Sequence, residues 1–193
     1  MSTTEYQSPD SGLLLCHQEQ QSIICKVVLK PCDILNRPFC LRIQSCVCYW
    51  PNGGNVQYGN ILVTCVSTKD EHTYVHRQFN VTHQSQKTVV SVDHFQLQKW
   101  PQKNISVWRD FIRSLPVEAD AGSTIVHCVD GCGHSGVLVT VLKELQRLRQ
   151  KQIVNVFETV QELRDNNPHA MRALEHYTLC YEILQELTYQ TQQ

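Results

Sequence analysis

The stretch that most constrains the fold is residues 123–140, STIVHCVDGCGHSGVLVT. A short apolar run ends at His127 and Cys128, a glycine-containing turn follows, and apolar residues at helical spacing begin near His134. A strand that turns tightly into a helix directs backbone N–H groups toward one point, and the helix N-terminus adds partial positive charge. The stretch therefore predicts an anion-binding loop that stabilises the thiolate of Cys128.

Other residues of this stretch have predicted roles in the same loop. Gly131, Gly133 and Gly136 permit the tight backbone. A hydroxyl at Ser135 is expected to hydrogen-bond the sulfur of Cys128, and His127 is expected to orient the turn from the strand end. The alternative interpretation is structural: the cysteine is a buried thiol, and the glycines serve only the turn.

The rest of the chain predicts a sheet followed by helices. Apolar alternation and β-branched residues predict strands at 22–29, 41–49, 57–68, 74–83 and 88–97, and the segment STIVHC predicts one more. Helical spacing predicts helices at 106–119, 137–149, from Asn155 onward, and at 170–187. No internal repeat interrupts this order. The predicted fold class is α/β, a twisted mixed sheet flanked by helices.

The two C-terminal helices carry specific predictions. Asn155 with Glu158 three residues later predicts a capping box. The helix that follows is expected to bury Phe157, Val160 and Leu163. The last helix is expected to bury its apolar and aromatic stripe, which comprises Leu174, Tyr177, Tyr181, Leu184 and Leu187.

Bulk properties restrict the function classes. With 193 residues, 41% hydrophobic, the chain is long enough for one core, so we predict one domain at 22–190 after a poorly ordered segment at 1–21. A net charge of −1 gives no basic field for nucleic acid. No apolar run is long enough for a membrane span. Several of the ten cysteines lie in apolar runs, which favours reduced thiols and a cytoplasmic location.

The sequence resembles the protein tyrosine phosphatase family. Its signature is His-Cys, two residues, Gly, two residues, Arg, then Ser or Thr and Gly, and here it stands as HCVDGCGHSG. The segments CVCYWP, YGNILVTCVS, YVHRQFNVTH and HFQLQKWPQ resemble further family motifs, and VNVFETVQELRDNNP and EHYTLCYEIL resemble its last two helices. The resemblance covers residues 23 to 187 and implies the family's fold, without its N-terminal helices.

The resemblance implies roles for particular positions. The nucleophile position is Cys128, assisted by Ser135, and the mobile loop carrying the general acid corresponds to Trp100 and Pro101. The implied phosphate-binding loop comprises His127, Cys128, Val129, Asp130, Gly131, Cys132, Gly133 and His134.

The chain departs from the family at the positions that carry its chemistry. His134 stands at the signature arginine, and Gln102 stands at the general-acid aspartate. Asp130 adds a carboxylate that repels both a thiolate and a phosphate. Arg172 and His176 stand where the family has its water-positioning and substrate-contacting glutamines, and Arg172 is a speculative replacement for the lost charge.

These departures predict a catalytically inactive pseudophosphatase that binds a tyrosine-phosphorylated or other protein partner, or serves as a scaffold. A weakly active phosphatase that uses a Cys128 phospho-intermediate is the alternative. A truncated product that does not fold stably is a third interpretation. The sequence implies no cofactor, and it leaves the oligomeric state open.

Two further alternatives concern the loop. His127, Cys128, Cys132 and His134 are all residue types that bind zinc, but structural zinc sites usually draw ligands from two separated segments, so we predict no metal site. A disulfide between Cys128 and Cys132 is disfavoured by the tight turn. His134 is interpreted either as a solvated residue at a helix start or as a weak anion contact, while Gln102 and Asp130 fit neutral drift.

Overall fold

The computed structural model describes residues 24–29, 48–97, 104–116, 124–128 and 131–189, with only the backbone described at 24–29. The predicted segment at 1–21, the question of N-terminal helices and most of the predicted strand at 41–49 lie outside these residues. The chain divides into two compact units. Among the described residues, one unit contains the first five strands and the other contains the four helices, while the last strand crosses the boundary.

The described strands form one mixed sheet. They are β1 (Ile24–Leu29), β2 (Asn55–Tyr58), β3 (Ile61–Asp70), β4 (Tyr74–His83), β5 (Thr88–Leu97) and β6 (Thr124–His127), in the order β2-β3-β4-β5-β1-β6. Strands β2 to β5 are antiparallel neighbours, whereas β1 pairs parallel to β5. Since parallel neighbours need a long crossover, the sheet is not a simple meander. The α/β prediction is confirmed.

One predicted strand is divided in the structure. The run 57–68 was expected to be continuous, but a turn at Gly59 and Asn60 separates β2 from β3. Gly59 has φ +57°, a left-handed conformation that glycine adopts without steric cost. The prediction of one strand was therefore wrong because a single glycine reverses the chain.

The helical unit contains α1 (Ile105–Ser114), α2 (His134–Lys151), α3 (Val156–Asn166) and α4 (Leu174–Tyr189). Helix α1 ends before Leu115 and Pro116 rather than at residue 119, because the residue before a proline disfavours helical geometry. Helix α4 contacts α1, α2 and α3. The core residues of α1 and the first turns of α2 are almost completely buried: Trp108, Phe111, Ile112, Val137 and Leu138.

The predicted N-cap is present at the start of α3, but the second bond of a capping box, from the Asn155 backbone N–H to Glu158, is replaced by one to Glu144. The Asn155 side chain accepts a hydrogen bond from the backbone N–H of Glu158 at 3.2 Å, and its amide donates to the Glu158 carboxylate at 3.0 Å. The buried carboxylate of Glu144 on α2 accepts from the Asn155 N–H at 2.6 Å and from the Thr159 hydroxyl. Helix α2 therefore fixes the start of α3 through a buried acceptor as well as through apolar packing.

Three predicted core positions are exposed. Phe157 is 60% exposed, Leu174 77% and Tyr181 46%. In α3 Val160 and Leu163 are buried as predicted, whereas Val156 and Thr159 rather than Phe157 complete the buried stripe. In α4 Leu184 and Leu187 are buried as predicted, together with Leu179, Cys180 and Ile183. Apolar character therefore predicted only part of each buried stripe.

Candidate functional site

The candidate site lies in the helical unit, where β6 leads through a short loop into α2. Strand β6 ends at His127, and Cys128 follows with 6% of its surface exposed. Gly131 has φ +68°, which favours glycine because a side chain would be strained there. Helix α2 begins at His134 after the N-cap residue Gly133. The predicted strand-turn-helix arrangement is therefore present.

Cys128 and Ser135 come together at the bottom of this loop. The Cys128 sulfur lies 3.2 Å from the Ser135 hydroxyl oxygen, and Ser135 is 4% exposed. A hydroxyl that donates to a sulfur favours the thiolate over the thiol. We call Cys128, Gly131 and Ser135, all buried, the floor of the loop.

The N-terminus of α2 also faces the loop. Gly133 provides no side-chain cap, and the first turn of α2 contains no acidic residue. The first backbone N–H groups of a helix have no acceptor within the helix, and the helix dipole makes that end partially positive. Both features favour an anion next to Cys128.

A second segment, residues 167–171, holds the loop from the other side. The Asn167 side-chain amide donates to the Gly131 carbonyl at 3.2 Å and lies 3.7 Å from the Cys132 sulfur. The backbone N–H of Met171 donates to the Cys132 carbonyl at 3.1 Å. Arg164 in turn donates to the carbonyls of Ala170 and Met171 at 3.1 and 2.8 Å. These contacts make Asn167 and Arg164 part of the site's support, which the sequence did not reveal.

Three positions depart from the residues that the family resemblance implies, and we call His134, Arg172 and His176 the rim. The rings of His134 and His176 meet edge to face with centroids 5.6 Å apart. A Cβ atom added to Gly133 would lie 2.6 Å from Cε1 of His176, so the ring covers the N-cap closely. Both histidines are partly exposed.

Arg172 occupies a different environment from the two histidines. Its side chain is exposed, and its guanidinium contacts Nδ1 of His169. Among the described residues, this is the one hydrogen-bonding contact of Arg172. The speculative role of Arg172 as a replacement clamp stays a prediction.

Several predicted site residues lie outside the described part of the chain. They are Trp100, Pro101, Gln102, Val129 and Asp130. Within the described residues, no group of three or more His, Cys, Asp or Glu side chains is placed to hold a metal ion. None of the described helices has the length and apolar character needed to cross a membrane.

Behind the loop, the thiol of Cys180 on α4 is fully buried. It lies 3.3 Å from the His176 carbonyl oxygen and 4.0 Å from that of Val137. Burial, with a smaller contribution from the Glu144 carboxylate, raises the pKa of Cys180 to about 12. Cys180 is therefore a packing residue that links α4 to α2.

The sequence model of the protein-tyrosine phosphatase family matches residues 22–186. This span includes the loop, the supporting segment at 167–171 and all six described strands. The chain belongs to the protein-tyrosine phosphatase family. The loop with Cys128 and Ser135 lies within this matched span.

Receptor-type phosphatases are among the similar proteins. Receptor-type tyrosine-protein phosphatase alpha from Mus musculus is 30% identical over 150 residues, which are 74% of this chain and 18% of that protein. The Homo sapiens protein has the same identity, with 19% of its length covered. Receptor-type tyrosine-protein phosphatase F from Mus musculus is 28% identical over 146 residues, 72% of this chain and 8% of that protein. The chain spans less than a fifth of the length of these relatives.

Proposed function

We propose that this phosphatase-family domain is catalytically inactive and acts as a phosphotyrosine-binding or protein-binding module, or as a scaffold. The observation that carries the proposal is the residue that begins α2, His134, which stands at the signature arginine directly beside the Cys128 loop. The proposed domain is 22–190. The proposed partner is a tyrosine-phosphorylated or other protein, and the proposed location is the cytoplasm.

The loss of arginine affects catalysis more than binding. A guanidinium holds two phosphoryl oxygens with a planar, permanently charged fork, whereas one imidazole offers a single donor in that direction and is mostly neutral near pH 7. Charge-assisted hydrogen bonds contribute about 1.5 to 3 kcal/mol each. The charge that spreads over the phosphoryl oxygens during transfer would therefore lose its main stabilising partner at His134.

The general-acid step is affected independently. Gln102 stands at the aspartate position, and a carboxamide cannot protonate a departing tyrosine oxygen. General acid–base catalysis typically contributes about a hundred- to ten-thousandfold in rate. Asp130 adds negative charge within the loop and weakens both the thiolate and phosphate binding. Effects of residues that act together are not additive, but each change acts in the same direction.

The floor of the loop supports retained binding. The Cys128 sulfur lies 3.2 Å from the Ser135 hydroxyl, and Asn167 fixes the Gly131 carbonyl. The N-terminus of α2 attracts an anion without any side-chain contribution. The proposal is therefore that the loop still accepts a phosphoryl group but does not transfer it at a useful rate.

The deciding experiment measures turnover and binding on the same protein. Purified chain would be incubated with p-nitrophenyl phosphate and with a phosphotyrosine peptide, and the peptide would be titrated calorimetrically. We expect the unmodified protein to hydrolyse neither substrate faster than Cys128→Ser does. We also expect it to bind the phosphotyrosine peptide more tightly than the same peptide without phosphate. Robust hydrolysis that Cys128→Ser abolishes would overturn the inactive assignment.

A weakly active phosphatase that forms a Cys128 phospho-intermediate is the second candidate. The contact between the Cys128 sulfur and the Ser135 hydroxyl favours it, because this contact suits a thiolate nucleophile. If Arg172 supplied the missing charge, turnover would be sensitive to vanadate and would be lost in Arg172→Ala. Unchanged slow turnover in Arg172→Ala would contradict that role of Arg172.

A further inference from the structure

Arg77 on strand β4 is a charged residue on the buried face of the sheet. Its neighbours two positions away, Val75 and Phe79, are 4% and 5% exposed. Side chains alternate between the two faces of a strand, so Arg77 shares the face of these two core residues. Across the sheet it pairs with His94 of β5, which is 1% exposed.

Within the described residues, the hydrogen-bonding and ring contacts of this guanidinium are all with neutral or aromatic groups. Its Nη1 atom donates to the Gln96 side-chain oxygen at 2.9 Å and lies 3.5 Å from Nδ1 of His94. Its central carbon lies 5.3 Å from the centroid of the Trp50 ring. Within the described part of the chain, no carboxylate lies within 4 Å of Arg77.

A part-buried cation without a carboxylate partner is unusual, because buried charges in proteins are normally paired. Burial lowers the pKa of Arg77, and the opposing attraction of Cys48, Cys65 and Asp70 does not cancel this effect. An arginine does not deprotonate in proteins, so the charge persists. Its attraction to the Trp50 ring compensates for only part of the lost hydration.

Around Arg77 lie further donors that have no acceptor among the described residues. A guanidinium has five N–H groups, and both polar contacts of Arg77 involve Nη1, which leaves Nε and Nη2. The indole Nε1 of Trp50 is buried and has no hydrogen-bond partner among the described residues. The Trp50 ring also lies against His94, with centroids 4.8 Å apart. Both kinds of donor suit an acceptor that carries negative charge.

We propose that Arg77 and Trp50 form a binding site for an oxyanion, either a carboxylate or a tetrahedral anion such as sulfate or phosphate. We call Trp50, Arg77, His94 and Gln96 the Arg77 cluster. The planar fork of Arg77 matches both oxyanion classes, and the indole N–H supplies a second donor. The cluster belongs to the sheet unit, whereas the Cys128 loop belongs to the helical unit, so the proposal does not depend on the loop's function.

The first test uses the unmodified protein. The chain contains three tryptophans, so a nitrogen–proton correlation spectrum shows three indole signals, and triple-resonance assignment identifies that of Trp50. We expect sulfate or acetate to move this signal downfield in a saturable way, while sodium chloride at equal ionic strength does not. No movement, or an equal response to chloride, would overturn the proposal.

The two anions distinguish the ligand classes. A response to acetate at lower concentration than sulfate assigns the site to carboxylates, and the reverse order assigns it to tetrahedral anions. Sulfate can also bind at the Cys128 loop, but that event is read separately from the backbone amides of Gly133 and Ser135. If only the Trp50 indole signal moves, the anion binds at the Arg77 cluster and not at the loop. If only the loop amide signals move, the anion binds at the loop and not at the Arg77 cluster.

Variants then test the donors. We expect Arg77→Met to weaken anion binding about tenfold or more and Arg77→Lys to weaken it less, because lysine keeps the charge without the fork. The matched control is Arg149→Met, at an exposed arginine on α2, which should bind like the unmodified protein. Equal binding by Arg77→Met and the control would overturn the role of Arg77. If Arg77→Met does not fold, the titration of the unmodified protein still tests whether the Arg77 cluster binds an anion.

Discussion

The floor and the rim of the Cys128 loop are held in different ways. Floor residues Cys128, Gly131 and Ser135 are buried and are fixed by α2 and by Asn167. The rim residues are more exposed, and Arg172 contacts a neighbouring histidine rather than the loop. Buried contacts therefore hold the floor, whereas Arg172 of the rim has no hydrogen bond to the loop among the described residues. Such a rim can change its chemistry without unfolding the domain.

The largest expected effect on the free energy of unfolding comes from a substitution in the buried part of α2, the helix that follows the loop. Leu138 is fully buried on α2, one turn from the start of that helix. Leu138→Ala should lower the free energy of unfolding by about 2–5 kcal/mol, because it removes buried apolar contacts and leaves a cavity. Urea unfolding followed by circular dichroism measures this change.

The matched control for Leu138 is Leu174→Ala. Leu174 is 77% exposed at the start of α4, so the same deletion should change the free energy of unfolding by no more than about 0.5 kcal/mol. Equal losses in the two variants would contradict the described packing of the helical unit.

Cys180 tests the same support through pH. Its pKa is raised to about 12 from the ordinary value of 9.0, so folding favours the neutral thiol. This contribution to stability is fully present below pH 9 and is lost as pH rises toward 12, because the unfolded chain ionises first. We expect the free energy of unfolding to fall over this range and to fall less in Cys180→Ala. Identical alkaline limbs would contradict the burial of this thiol.

A substitution in the rim should change anion binding rather than the free energy of unfolding. His134→Arg restores a charged fork beside the floor, so affinity for tungstate, a phosphate analogue, should rise about ten- to a hundredfold. The free energy of unfolding should change little because His134 is partly exposed. Calorimetric titration measures the affinity, and His169→Arg is the control for added charge nearby. An equal gain in both variants would indicate general charge attraction instead of a formed site.

Asn167 connects floor and supporting segment, and its removal should have an intermediate effect. Asn167→Ala deletes the donor to the Gly131 carbonyl and should lower the free energy of unfolding by about 1 kcal/mol. Hydrogen exchange at the loop amides should become faster. The control is Asn166→Ala, whose exposed amide bonds only the Glu162 carbonyl in its own helix. Unchanged exchange in Asn167→Ala would show that the Asn167 side chain does not hold the loop.

Local signals were sufficient to predict the turn into α2 and the start of α3, whereas α4 begins at Leu174 rather than at residue 170. The N-cap at Asn155 and the turn from β6 into α2 depend on residues only a few positions apart. Tertiary packing was not predictable from such signals: Phe157 is apolar but 60% exposed, whereas its neighbour Val156 is buried. Asn167 was missed for the same reason, since its partner Gly131 lies 36 residues away.

The smallest expected effect is at Arg172. Its exposed side chain contacts only His169 among the described residues, so Arg172→Ala should change the free energy of unfolding by no more than about 0.5 kcal/mol. Tungstate affinity should also stay unchanged. The matched control is Arg164→Ala, because Arg164 donates to two carbonyls of the supporting segment and its loss should destabilise the loop. A tenfold weaker binding of tungstate by Arg172→Ala would instead make Arg172 part of the anion site, and the rim would then retain the charge that His134 lacks.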